Sequence, residues 1–454
     1  MTLPASVIGS AHTSSYCWEL FEELTEIGNR MAGQDGEAAG AEVMAEGFER
    51  AGLDDVTVEE FDIPVWYRDH TSLTIEGPWT RTFEAPHDVI GLPGSPADEV
   101  ATAIVDAGSG TPEEIADLDL DGKIALVSSQ NPHDYGRAIN RIEKYVRLAD
   151  AGAAGFVYYN DVAGAITPTG AIGFNQDGPG PIPGVGVSNE VGRRIHRYFE
   201  DGPVEATLSV ACSNERSTSQ NVSATVGPDT DEEIIVNAHH DAHDIADGAR
   251  DNGAGSVLVA EVGRLLARMA DDLDTRVRLA TFGGEETGLY GSYEWARSHD
   301  LDAVKCQINL DGIGYSRNLG VTGFDSVTDA FETAADTLNT SVRTGTRMYP
   351  FNDQWPFAEH GVASATCRSA PEERGRVVRY GHLEWGHTHA DTIDKIDPRD
   401  MRDLAIQIAG GVAELAASDY ETPNRSPSVI RELVHDDVLE YLELSGRADW
   451  PDRS

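Results

Sequence analysis

The chain has 454 residues, 40% of them apolar, so it can bury a large core and divide into two or three domains. Its formal net charge of −44 argues against nucleic acid as a partner, because binding phosphate requires clustered Lys and Arg. Acidic residues are spread along the whole chain and lysines are few, a composition that resembles halophilic proteins, in which salt screens repulsion between surface carboxylates.

The sequence predicts a cytoplasmic protein with no membrane partner. No apolar run approaches the ~20 residues that a membrane-spanning helix needs. The first residues lack the basic segment, apolar core and cleavage site of a signal peptide. The cysteines lie far apart and form no CxxC pair, which argues against a cysteine metal site or a disulfide scaffold.

The first 75 residues predict a helix followed by a strand. From Asp35 to Leu53, apolar residues recur at steps of three and four, and Gly52 follows the last turn. Thr57–Phe61 alternates between apolar and polar residues, as a half-buried strand does.

Residues 76–209 differ in character and predict a small, mostly β insert. Short apolar runs occur at 123–127, 155–159 and 182–187. Stretches rich in Gly and Pro separate them, and such stretches are typical of turns between short strands.

From about Glu232 the chain alternates between strand, loop and helix. Strands are predicted at Ile234–Ala238, Val277–Phe282 and Val304–Leu310, and helices at Gly253–Ala270 and Tyr290–Ser298. This alternation predicts an α/β domain, formed by residues 1–75 and 210–420, whose mostly parallel or mixed sheet is covered by helices on both faces. The tail, residues 421–454, is predicted to be helical and amphipathic, and either the main domain or a partner subunit could cover its apolar face.

Histidines and carboxylates follow each predicted strand of the main domain. Ligands of parallel sheets bind beyond the carboxyl ends of the strands, so these side chains should meet at one edge. Burying so many charges without a counter-ion would be prohibitive, whereas two divalent cations would balance them. Imidazole and carboxylate ligands suit catalytic zinc. The clusters are His239-His240-Asp241, Asp251-Asn252, Glu285-Glu286, Asp311 and His387.

These clusters resemble, in order, the motifs of the M28 family of zinc aminopeptidases and carboxypeptidases. The matching segments are His239-His240-Asp241, Gly248–Asn252, Phe282–Ser292, Leu310-Asp311 and His387–Thr392. The resemblance implies a zinc-exopeptidase fold and two Zn²⁺ ions, for which Co²⁺ or Mn²⁺ are possible substitutes. It also implies a peptide substrate and a cis peptide after Asp251.

The resemblance also implies a role for each residue. Asp251 would bridge both metals, with His239 and Glu286 completing one site and Asp311 and His387 the other. Glu285 would remain free as the general base. Asp241 could orient the ring of His239 through its second nitrogen.

Some positions near the motifs stay ambiguous. His240 and His243 neighbour His239, but only His239 has Asp two residues further on. Tyr349 falls where some members carry a tyrosine that stabilises the oxyanion, or it is a packed aromatic residue. Arg250 could pair with Asp244 or Asp247, or shape the substrate pocket.

The insert resembles a protease-associated (PA) domain. The resemblance rests on Asp121–Ile124, on Lys144 followed by Ala151–Gly155, and on Ile182–Val185. In related peptidases such inserts lie beside the active site and are thought to limit or guide substrates.

The resemblance favours removal of N-terminal residues. The metals would lower the pKa of a shared water molecule, and Glu285 would take its proton as the resulting hydroxide attacks the peptide carbonyl. A free amine could bind against Asp311 and one metal.

Three other functions remain as alternatives. A carboxypeptidase or dipeptidase of the same family could use arginines for a C-terminal carboxylate, and the candidates are Arg368, Arg374, Arg376 and Arg379. A metallo-deacylase of the M20 type also uses His-x-Asp and Glu-Glu, but the short interval between His239 and Asp251 argues against it. A non-catalytic relative that only binds is disfavoured, because all five ligands and the base are present. The sequence leaves the oligomeric state open.

Overall fold

The computed structural model describes residues 2–132, 135–173, 178–371 and 385–447. In the part before the insert, three helices precede one long strand and a short one. These elements are α1 (Ala5–Thr13), α2 (Tyr16–Thr25), α3 (Asp35–Ala51), β1 (Asp54–Glu76) and β2 (Arg81–Phe83). Helix α3 ends on Gly52, which has a φ of 77°, a left-handed conformation that glycine adopts without steric cost.

The insert contains three helices in addition to its strands. Its elements are β3 (Val89–Gly91), β4 (Asp98–Asp106), α4 (Pro112–Ala116), β5 (Ile124–Ser128), α5 (Arg141–Asp150), β6 (Gly155–Tyr159), β7 (Gly184–Val187) and α6 (Asn189–Phe199). The strands β4, β5, β6 and β7 pair in parallel in that order. The apolar runs found in the sequence are therefore its buried central strands.

The rest of the main domain follows the predicted alternation. Its strands are β8 (Val204–Val226), β9 (Glu233–His239), β10 (Arg276–Phe282), β11 (Val304–Leu310), β12 (Leu319–Gly323), β13 (Val342–Gly345) and β14 (Ser364–Ser369). Its helices are α7 (Ala254–Ala267), α8 (Tyr290–Ser298), α9 (Asp325–Leu338), α10 (Trp355–Ala358) and α11 (Pro398–Leu415). The predicted α/β fold, a mixed sheet with helices, is confirmed.

One continuous sheet of 14 strands runs through the main domain and the insert, within the described residues. The long antiparallel ribbon of β1 and β8 connects the two parts, with paired residues from Asp54/Thr225 to Glu76/Glu205. In the main domain, β9 lies between β10 and β11 and is parallel to both. The carboxyl ends of these three strands therefore meet at the same edge of the sheet.

The tail packs on the main domain of the same chain. It forms α12 (Pro427–Leu433) and α13 (Asp436–Leu444). Ile430, Val438 and Leu442 join the main hydrophobic core. Glu440 of α13 also forms an ion pair of 2.5 Å with Arg147 of the insert, so the tail contacts both parts. None of the helices formed by the described residues is both long and apolar enough to span a bilayer.

Candidate active site

The candidate site lies beyond the carboxyl ends of β9, β10 and β11. His239 is the last residue of β9, Glu285 and Glu286 follow β10, and Asp311 follows β11. Asp251 precedes α7, and the peptide bond between Asp251 and Asn252 is cis, as expected. His387 lies in a loop that contacts the insert. Its backbone carbonyl accepts a hydrogen bond of 2.8 Å from the backbone N–H of Thr169.

Two groups of side chains could each hold a metal ion. His239, Asp251 and Asp311 form one group, and His243, Glu286 and His387 form the other, with the potential ligand atoms of each group within 4.8 Å of one another. The pairing implied by the resemblance is therefore wrong: all five expected ligands lie in the two groups, but in other pairs, and His243 joins them as a sixth residue. The reason is the strand order: β9 lies between its neighbours, so Asp311 and Glu286 approach His239 from opposite sides.

Asp251 lies between the two groups. Its Oδ1 is 3.6 Å from Nε2 of His239, and its Oδ2 is 3.3 Å from Nε2 of His387. Burial acts to raise the pKa of Asp251, but its interactions with the two nearby histidines outweigh that effect, and the pKa lies well below its ordinary value. One carboxylate thus presents one oxygen to each group, the arrangement that a bridging ligand requires.

The donor set fits divalent metal ions. His239 Nε2 and Glu286 Oε1 are buried and have no hydrogen-bond partner among the described residues. Burial raises the pKa of Glu286 to about 8 and that of Glu285 well above its ordinary value. Leaving such groups unpaired in the interior is costly, and bound cations would remove that cost.

Asp241 contacts both His239 and the backbone of Glu285 and Glu286. Its Oδ1 is 3.3 Å from Nδ1 of His239, which leaves Nε2 of that ring facing Asp251. Its two oxygens also accept hydrogen bonds of 3.1 Å from the backbone N–H groups of Glu285 and Glu286. Asp241 therefore contacts both the ring of His239 and the loop that carries Glu285, and its role in orienting the histidine stays a prediction.

Glu285 itself lies beside the first group. Its Oε2 is 3.7 Å from Nε2 of His239, and its side chain is only 10% exposed. Glu285 belongs to neither metal-ligating group among the described residues.

The structure adds contacts of three further residues, of which only Asn352 and His243 lie outside the motifs. The carboxylate of Asp391 accepts hydrogen bonds of 2.8 and 3.0 Å from the backbone N–H groups of Arg250 and Asp251. The side-chain amide of Asn352 donates to Asp311, and His243 belongs to the second metal-ligating group. Asp391 is part of the final motif, whereas no sequence signal marks Asn352 or His243 as a partner of these carboxylates.

Tyr349 and Arg250 make contacts of other kinds. The ring of Tyr349 stacks on Phe351 at 6.2 Å and lies beneath the guanidinium of Arg347, so its predicted role at the oxyanion stays a prediction. Asp244, one of the partners considered for Arg250, forms an ion pair of 2.7 Å with Arg68 instead, and Arg250 lies over the ring of Tyr315.

The carboxylate of Asp247 is also engaged elsewhere, since it accepts a hydrogen bond from the backbone N–H of Ile393. Among the arginines considered for a C-terminal carboxylate, Arg368 lies in β14, near Asp311. Arg374, Arg376 and Arg379 lie outside the described residues.

Comparison with known proteins finds two matching family models and similar aminopeptidases. Peptidase family M28 matches residues 221–411, and the PA domain matches residues 95–195. Aminopeptidase YwaD of Bacillus subtilis (strain 168) is 27% identical over 450 residues, which cover 95% of this chain and 90% of that protein.

Two solved structures are similar over most of their length. The aminopeptidase from Aneurinibacillus sp. strain AM-1 is 26% identical with a TM-score of 0.67, and the match covers 90% of this chain and 97% of that one. BSAP, a zinc aminopeptidase from Bacillus subtilis, is 25% identical with a TM-score of 0.69, over 90% of this chain and 96% of that one. Residues 221–411 therefore resemble peptidase family M28, and the region that matches the PA domain, residues 95–195, precedes them in the chain.

Proposed function

We propose that the protein is a two-zinc aminopeptidase that removes N-terminal residues from peptides. The observation that carries this proposal is the position of Asp251, whose two oxygens face the histidines of two separate metal-ligating groups. The relatives named above are aminopeptidases, one of them described as a zinc enzyme, which supports the same reaction and metal.

Each metal would be held by a defined set of residues. His239, Asp311 and Asp251 would hold one zinc, and Glu286, His387 and Asp251 the other. Zinc bound in this way would supply Lewis-acid activation of water and of the scissile carbonyl.

Glu285 performs the proton transfers. Its carboxylate lies beside His239 without ligating, and its backbone is fixed through Asp241. It accepts a proton from the attacking water and returns that proton to the amine of the departing peptide. Burial and the neighbouring carboxylates raise its pKa, which makes it a stronger base once it is ionised.

A panel of peptides tests the proposed reaction. We expect hydrolysis of aminoacyl amides with a free N-terminus and no hydrolysis of the same compounds after N-acetylation. A chelator should abolish the activity, and Zn²⁺ or Co²⁺ should restore it. Cleavage confined to N-blocked peptides with a free C-terminal carboxylate would instead assign a carboxypeptidase or a deacylase. No cleavage by metal-loaded protein would assign a protein that only binds.

We also propose that the acidic surface is adapted to high salt. With 78 Asp and Glu against 34 Lys and Arg, repulsion among carboxylates opposes folding at low ionic strength. The Debye length falls from about 10 Å in 0.1 M salt to about 3 Å in 1 M salt. The melting temperature should therefore rise steeply with KCl and much less in sucrose of equal osmolarity. An equal rise in both solutes would contradict this proposal.

A further inference from the structure

We propose that His243 is a direct ligand of the metal held by Glu286 and His387, which gives that metal a second imidazole. This inference rests on the proposed two-metal function and specifies how its two sites differ. The family motifs single out His239 in this segment, and His243, four residues later, takes part in none of the motif spacings.

The position of the His243 ring carries the proposal. Its side chain is 5% exposed, and its Nε2 lies 3.0 Å from Oε2 of Glu286. The same nitrogen lies 3.2 Å from Nδ1 of His387, and the two rings meet edge to face at 4.7 Å. Nε2 of His243 thus contacts Glu286 and Nδ1 of His387, while Nε2 of His387 faces Asp251 and the same oxygen of Glu286.

The other neighbouring histidines are placed differently. His240 is buried on the side of the main domain where Arg30 lies, and Nε of Arg30 donates to the carbonyl of His240 at 2.9 Å. His389 is exposed. Neither belongs to a metal-ligating group within the described part of the chain.

The extra ligand would make the two sites unequal. With Asp251 shared, the site of Glu286 and His387 would have four protein ligands, whereas that of His239 and Asp311 would have three. Zinc sites with four protein ligands are closed, whereas those with three retain a position for water or substrate. The open position would then lie on the side of His239, where Glu285 also lies.

A hydrogen-bonding role for His243 is the competing explanation. In that case its ring would only orient His387 or Glu286 from outside the coordination sphere. Loss of such an outer partner typically lowers metal affinity by about 10–100-fold. Loss of a direct ligand should exceed that range for one metal and leave the affinity for the other nearly unchanged.

Nuclear magnetic resonance of the cadmium-113-loaded full chain, labelled with nitrogen-15 histidine, separates the two roles directly. Scalar coupling between cadmium and nitrogen is seen only through a metal–nitrogen bond. We expect coupling at His239, His243 and His387, out of 14 histidines in the chain. The variants H243Q and H389Q assign the signals: H243Q should remove one coupled signal, and H389Q none.

The outcomes are distinguishable. Coupling at His239 and His387 but not at His243 overturns this inference and leaves the two-metal function intact. Coupling at none of the three overturns both. Should H243Q fail to fold, the number of coupled signals in the unchanged protein, three or two, still decides.

Discussion

Replacing Glu285 with glutamine is expected to lower kcat by about 10²–10⁴-fold, the usual contribution of a general base. Glutamine keeps the size of the side chain but cannot accept a proton. The backbone N–H of residue 285 would still donate to Asp241, so the loop that carries Glu286 should keep its position. The experiment measures kcat and KM on an aminoacyl amide, together with the zinc content of the same preparation.

The zinc content shows whether E285Q loses activity through loss of the base or through loss of metal. We expect E285Q to retain the zinc content of the unchanged protein, because Glu285 belongs to neither metal-ligating group of the described residues. The matched control is E294Q on α8, where Glu294 pairs with Arg297 on the surface, and its kcat should be unchanged. An E285Q protein with near-normal turnover would contradict the assignment of the base.

Replacing Asp251 with asparagine is expected to weaken both metals at once and to reduce activity to background. The neutral amide removes a negative charge that lies 3.6 Å from His239 Nε2 and 3.3 Å from His387 Nε2. The loss of affinity should exceed the roughly 10–100-fold that follows removal of an outer partner. Competition with a chromophoric chelator measures the affinity of each metal.

The comparison variant is D391N. Asp391 accepts hydrogen bonds from the backbone of Arg250 and Asp251 and orients the bridging residue without ligating. Its replacement should cost about 10–100-fold in metal affinity, less than D251N does. If D251N lost only one of two metals, Asp251 would be a ligand of a single site rather than a bridge.

The sequence predicted the three central strands of the main domain, β9, β10 and β11, because each is a short, buried, apolar run. Val304–Leu310 and Tyr290–Ser298 have the predicted bounds. Of the ribbon formed by β1 and β8, the sequence predicted only the segment Thr57–Phe61. Several residues from Asp54 to Glu60 are exposed, and the partner strand lies on the far side of the insert, so neither burial nor local turn chemistry marks its length.

Ordered motifs were enough to predict candidate site residues, but not how those residues group in space. The order of β10, β9 and β11 across the sheet decides which carboxylate lies next to which histidine. The spacing of residues in the sequence carries no information about that order. The contacts of His243 could not be predicted from local spacing either. Its ring reaches Glu286 and His387 only because the loop after β9 folds back towards both.

The central claim is that two metals share Asp251. Anomalous X-ray scattering at the zinc edge, from crystals of the zinc-loaded protein, tests it most directly. We predict two anomalous peaks, one among His239, Asp251 and Asp311 and one among Asp251, Glu286 and His387, separated by about 3.5–4 Å. A single peak, or peaks remote from Asp251 in a preparation that hydrolyses aminoacyl amides, would contradict it.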